Sequence, residues 1–121
     1  MKSKKAIIKE NFKLWQILLG LIHNHKCQVC GAEGSCGHHL YNKRGIDRTA
    51  WTIKNGIYLC VKCHRFAHDN PMLFERILSE RNLWDDDTSQ EMNMKAFTSI
   101  KMPIEFYEAR NKRMKEMIEE L

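Results

Sequence analysis

No stretch of this chain reaches the ~20 consecutive apolar residues needed to cross a bilayer. The longest, LWQILLGLI from Leu14 to Ile22, is nine residues, so a membrane span is not expected. The basic start MKSKK leads towards that run, but Glu10 and Lys13 interrupt the approach and HNHKC offers no small-residue cleavage site. A secretory leader is therefore not expected either, and the chain reads as cytoplasmic. HExxH is absent, which excludes the zinc-protease motif. Repeats and low-complexity tracts are also absent. With 121 residues, 43% of them hydrophobic, the chain suits one domain over 1–121 whose modest core needs a staple.

What the sequence does have is cysteine, histidine and uneven charge. Residues 1–70 carry 12 Lys and Arg against 4 Asp and Glu, while residues 71–121 carry 8 against 11. The basic part is also the Cys/His part, which tilts the reading towards a polyanionic partner such as nucleic acid. In a reducing cytosol five cysteines do not favour disulfides, and four of them form two CxxC pairs, the spacing that suits a metal.

Periodicity divides the chain. Over residues 4–23, Ile8, Phe12, Trp15, Leu19 and Ile22 recur at spacings of 3 and 4, the stripe of a packing helix with Ser3 as N-cap. From Cys27 to about Asp69 the composition shifts to Gly, Cys, His and short β-prone pieces, HHLY and GIYLC, ending in a Cys/His run of helical character. Asn70 and Pro71 then suit N-cap and N1 of a helix through about Leu83, with Phe74, Ile77 and Leu78 inward. WDDDTSQEMNMK reads as a polar connection. Pro103 opens a last helix striped by Ile104, Tyr107, Met114, Ile118 and Leu121. That stripe suits either a homodimer contact or cover for the monomer's own core. The fold class expected is α+β.

Cys27 and Cys30 with Cys60 and Cys63 can close a tetrahedral four-thiolate zinc site. That leaves His64 and His68, at i and i+4 on one helix face, to share a second ion. GHHLYNKRG supplies a third partner. Adjacent histidines on a strand point to opposite sides, so one of His38 and His39 joins the ion while the other is aimed elsewhere, unless the backbone twists both towards a phosphate. A metal ligand beside a proton acceptor is what phosphodiester hydrolysis requires, since an imidazole with an ordinary pKa near ~6.5 can take a proton from water. Its second ring nitrogen must then be held. Asn55, before the GIYLC strand, is placed to turn back and do so.

The order His38-His39, Asn55, His64, His68, with NGIYLCVKCH carrying the second of two CxxC pairs, resembles the HNH nuclease motif in its ββα-metal (His-Me finger) form, of the phage and bacterial type with zinc knuckles. The resemblance covers residues 27–68. It implies a treble-clef-like, zinc-stapled core flanked by an N-terminal helix and a helical extension over 71–121. It also implies an endonuclease acting on DNA in the cytoplasm of a bacterial or phage-infected cell. His38, His64 and His68 would ligate a catalytic divalent ion (magnesium, manganese, nickel or zinc), His39 would be the general base, and Asn55 would orient it. In members with Asp before the base, the Asn is a ligand instead. Lys43, Arg44 and Arg48 follow the histidine strand, where they suit phosphate contacts as well as solvated loop charge. Cys36, two residues before His38, could replace a zinc ligand but reads more as a bystander, His23 and His25 read as helix-end residues, and Trp51 as core. A zinc-finger module that binds nucleic acid without cutting also explains the cysteines and the charge, but not the five-residue His/Asn set.

Overall fold

The computed structural model describes residues 2–39, 56–83 and 102–121. Four helices and one two-stranded antiparallel sheet are seen among them, an α+β arrangement. Helix α1 spans Lys4–Ile22 and starts where expected, with Ser3 Oγ accepting the Ala6 N–H at 3.2 Å. It stops because Asn24 adopts φ 53°, letting the His25 and Asn24 N–H groups bond back to Gly20 and Leu21 carbonyls at 2.7 and 3.3 Å. This Schellman closure takes up carbonyls that the helix end would otherwise leave bare.

Strands β1 (Cys36–His39) and β2 (Gly56–Leu59) pair with Cys36 opposite Leu59 and His39 opposite Gly56. The described part of the strand that carries His38 and His39 is thus CGHH. Leu40 and Tyr41 lie outside the described residues, as do Lys43, Arg44, Arg48, Trp51, Asn55 and the whole WDDDTSQEMNMK connection.

Both edges of so small a sheet need partners, and two glutamines supply them. On β1, Gln16 of α1 donates to the Gly37 carbonyl at 3.1 Å and accepts its N–H. On β2, Gln28 accepts the Tyr58 N–H through its side chain at 2.8 Å and donates its own N–H to the Tyr58 carbonyl at 2.9 Å.

Alternation along the strands separates two cores. Gly37, His39, Gly56 and Tyr58 face α1. Trp15 and Leu19 lie close on this face, and a Cβ at Gly56 would sit 2.6 Å from both Leu19 Cδ1 and Trp15 Cζ2. Tyr58, Trp15, Leu18 and Leu19 join Ile7, Tyr107 and Met114 in one apolar cluster. Ile57 and Leu59 face the other way, packing with Cys27, Ala67, Phe74 and Leu78.

Helix α2 spans Val61–Asp69 and α3 spans Pro71–Glu80, joined at Asn70, with Pro71 opening α3. Phe74 and Leu78 are buried as expected and Ile77 is half-buried. Helix α3 ends short of Leu83 because Asn82, at φ 57°, sends the Leu83 N–H back to the Leu78 carbonyl at 2.8 Å. The final helix, α4, spans Ile104–Glu120 and packs against α1, burying Tyr107 and Met114. Leu121 is exposed.

The buried line of α1 departs from the expected stripe. Ile7, Asn11, Trp15, Leu18 and Leu19 are buried, whereas Ile8, Phe12 and Ile22 are only partly so. Fully buried Asn11 donates to the Tyr107 carbonyl at 3.1 Å and accepts from Asn111 Nδ2 at 3.0 Å, so its amide is paired across the α1–α4 contact. Nearby, Asn111, Lys2 and Lys115 hold the Glu10 carboxyl down at about 2 by bonding its charged form.

Candidate metal centres and the histidine cleft

The two CxxC segments adopt the same local geometry. Cys27 Sγ accepts the Cys30 N–H at 3.5 Å, and Cys60 Sγ, at the N-cap of α2, accepts the Cys63 N–H at 3.4 Å. Gly31, at φ 78°, turns the chain after the first pair. Glycine meets that need without a Cβ penalty. Arg81, at the C-cap of α3, donates to the Val29 carbonyl inside the first turn, tying it to the helices.

The four sulfurs lie within 4.8 Å of one another. Cys30 and Cys60 Sγ are 3.7 Å apart, close to the ~3.8 Å edge of a tetrahedron built with Zn–S bonds of ~2.3 Å. Ionisation within the group is uneven. Burial pushes the Cys27 thiol up, but amide and thiol donors led by the Cys30 N–H outweigh it and bring it down to about 6. Burial and the neighbouring sulfurs push the Cys63 thiol well above its ordinary value. Four sulfurs this close cannot all carry charge without a cation among them. The cluster can therefore bind a structural metal such as zinc.

A second cluster also draws on α2. His38 from β1 and His64 and His68 from α2 each offer a ring nitrogen within 4.8 Å of the others. The one-turn spacing on α2 brings His64 Nε2 and His68 Nε2 to 3.1 Å. That separation lies between the ~3.0 Å expected for adjacent octahedral ligands and the ~3.3 Å for tetrahedral ones at ~2.0–2.1 Å from an ion. His38 sits edge-on to both rings and to Phe74, with centroids 5.1, 5.0 and 5.8 Å away. Burial first, then the neighbouring imidazoles, pulls His38 down to about 4, and burial followed by His68 lowers His64. Both shifts favour the neutral ring, the form that metal ligation requires.

His39 faces α1, opposite to His38, as alternation dictates. Its ring stacks on Trp15 at 3.9 Å with the planes 8° apart, and Phe12 meets it edge-on at 5.8 Å. The two faces nevertheless open into one cleft of about 550 Å³, bounded by Phe12 and Gln16 of α1, His38 and His39 of β1, and His64 and His68 of α2. Among the predicted site residues, the structure thus brings together the four cysteines in one group and the four histidines around one cleft.

Two neighbours of His39 and its strand, Trp15 and Gln16, belong to what reads in the sequence as a packing helix. Cys36, which reads there as a bystander, has its sulfur 3.1 Å from His64 Nδ1. The available signal for Cys36 was the C-x-H spacing, which sets its side chain on the same strand face as His38.

No protein-family model, curated protein or solved structure matches this chain.

Proposed function

We propose that the chain is a metal-dependent endonuclease of the HNH type, whose β1, β2 and α2 form a ββα-metal core stapled by zinc on Cys27, Cys30, Cys60 and Cys63. The observation that carries this reading is the convergence of the His38, His64 and His68 nitrogens beside His39 in one cleft. Strand alternation gives the two adjacent histidines different surroundings, one among imidazoles and one against an indole face, as a division between ligand and base requires.

On this reading His38, His64 and His68 hold a divalent ion (magnesium, manganese, nickel or zinc). Such an ion supplies positive charge against the phosphate and the departing 3′ oxygen. His39 accepts the proton of the attacking water. The Trp15 face fixes its ring plane, and the Gln16 bonds to Gly37 fix the strand that carries it. Asn55 orients His39, and Lys43, Arg44 and Arg48 contact DNA phosphates, a backbone-dominated mode with limited sequence preference. A zinc-stapled binding module that never cuts accounts for the cysteines and the basic half of the chain, but leaves three convergent imidazoles without a task.

The test is incubation of the zinc-loaded protein with supercoiled plasmid and labelled branched DNA, with and without each divalent ion. Metal-dependent cleavage to a 5′-phosphate and a 3′-hydroxyl is expected. Binding without cleavage of any substrate under every ion makes the non-catalytic module the better account.

A further inference from the structure

Cys36 is the one cysteine outside the four-sulfur cluster. It begins β1, half-buried, two residues before His38. The strand's period of two therefore sends both side chains to the α2 face, where they flank His64. Cys36 Sγ lies 3.1 Å from His64 Nδ1, and Ser35 Oγ points its own bond at the same sulfur from 3.8 Å. The other nitrogen of the ring, Nε2, is the one 3.1 Å from His68 Nε2. The two edges of one imidazole are thus divided between a sulfur and the three-nitrogen cluster, and the sulfur is not itself part of that cluster.

We propose that Cys36 is a positioning residue for His64: its sulfur accepts the Nδ1–H and so holds the ring in the tautomer and rotation that present the Nε2 lone pair to a metal ion shared with His38 and His68. This inference rests on the three-histidine reading given above. A neutral imidazole has one N–H, and a proton on Nδ1 leaves Nε2 free to ligate. Ligating histidines commonly give their second N–H to such an acceptor, and losing it typically weakens metal binding by about 10–100-fold. The geometry also argues against Cys36 as a fourth ligand, since its sulfur addresses the nitrogen turned away from His68.

The test titrates Co²⁺ into protein already loaded with its structural zinc, for wild type, Cys36→Ala, Cys36→Val, Cys36→Ser and His64→Ala, with zinc content and melting temperature read for each. Wild type is expected to take up one Co²⁺ with visible d–d bands and no near-ultraviolet thiolate band. Cys36→Ala and Cys36→Val should weaken Co²⁺ binding by about 10–100-fold, while Cys36→Ser, whose hydroxyl oxygen can accept the same N–H, should recover most of the loss. A purely packing role gives the reverse order, with Val the best replacement and Ser no better than Ala.

That reverse order, unchanged affinity in Cys36→Ala and Cys36→Val beside lost binding in His64→Ala, or a Cys36-dependent thiolate band each overturns the proposal while leaving the histidine site standing. If wild type takes up no Co²⁺ beyond its zinc, the histidine site falls and the proposal with it.

Discussion

Replacing Gly56 with Ala drives a methyl group into the contact between α1 and the sheet. The new Cβ would lie 2.6 Å from Leu19 Cδ1 and from Trp15 Cζ2, and 3.2 Å from Trp15 Cε2. Ordinary contact begins near ~3.5 Å, so α1 must retreat by nearly an ångström or both side chains must leave their rotamers. Leu19 and Trp15 are fully buried, so neither has open space to move into. Overpacking of this kind costs about 1–3 kcal/mol. Gly56 does not occupy the left-handed region, so the lost flexibility of the unfolded chain returns about 0.4–1 kcal/mol.

The net loss is on the order of 1–2 kcal/mol, which for a chain of this size lowers Tm by roughly 3–10 °C. A second readout fixes the cause. Leu19→Ala alone should cost about 2–5 kcal/mol, but combined with Gly56→Ala it removes one of the two clashes and opens space into which Trp15 can shift. The pair should therefore be less damaging than the sum by more than about 0.5 kcal/mol. Thermal and urea melts of the four proteins measure this. A Gly56→Ala variant that melts at or above the wild-type temperature, or additive effects in the pair, refutes the close approach. Because Trp15 also stacks on His39, the proposed nuclease activity should fall in Gly56→Ala along with stability.

With zinc on the four-cysteine cluster as proposed, a strong chelator should abolish the cooperative melt, since metal held there would contribute folding free energy directly; a zinc-free preparation with an unchanged melt contradicts this. Glu10→Gln should lower Tm at neutral pH. The depressed Glu10 carboxyl contributes stability that is present above its ordinary value near 4.5 and lost as pH falls towards about 2, so the gap between variant and wild type should close over that window. A gap independent of pH would show that the charge of Glu10 is not what matters. If the proposed DNA binding holds, affinity should fall steeply between low and physiological salt as phosphate contacts release counterions, and a flat dependence removes the polyanion argument.

Several parts of this arrangement could be read from the sequence because they depend on local spacing. Ser3 before an apolar stripe, Asn70-Pro71, two CxxC pairs, and His64 and His68 one turn apart each express their geometry within a few residues. Other parts depend on partners distant in the chain. Asn11 looks like a polar interruption on the apolar side of α1 until Tyr107 and Asn111 arrive from α4 to satisfy its amide. Gly37 and Gly56 look like strand weakeners, yet they let Trp15 lie flat enough to stack on His39. The early end of α3 turns on one residue, Asn82, whose left-handed conformation is common for asparagine but not dictated by it. Cys36 gains its meaning only when β1 and α2 are docked.

The central claim is that His39 is the base of a hydrolytic centre and neither a structural ligand nor a main DNA contact. It is tested most directly by measuring the plasmid cleavage rate of His39→Ala against wild type at matched zinc content and matched DNA affinity. The account predicts a fall of roughly a hundredfold or more, since general-base catalysis typically contributes about 10²–10⁴-fold, with zinc content and DNA binding nearly unchanged. A His39→Ala protein that cuts as fast as wild type would contradict it.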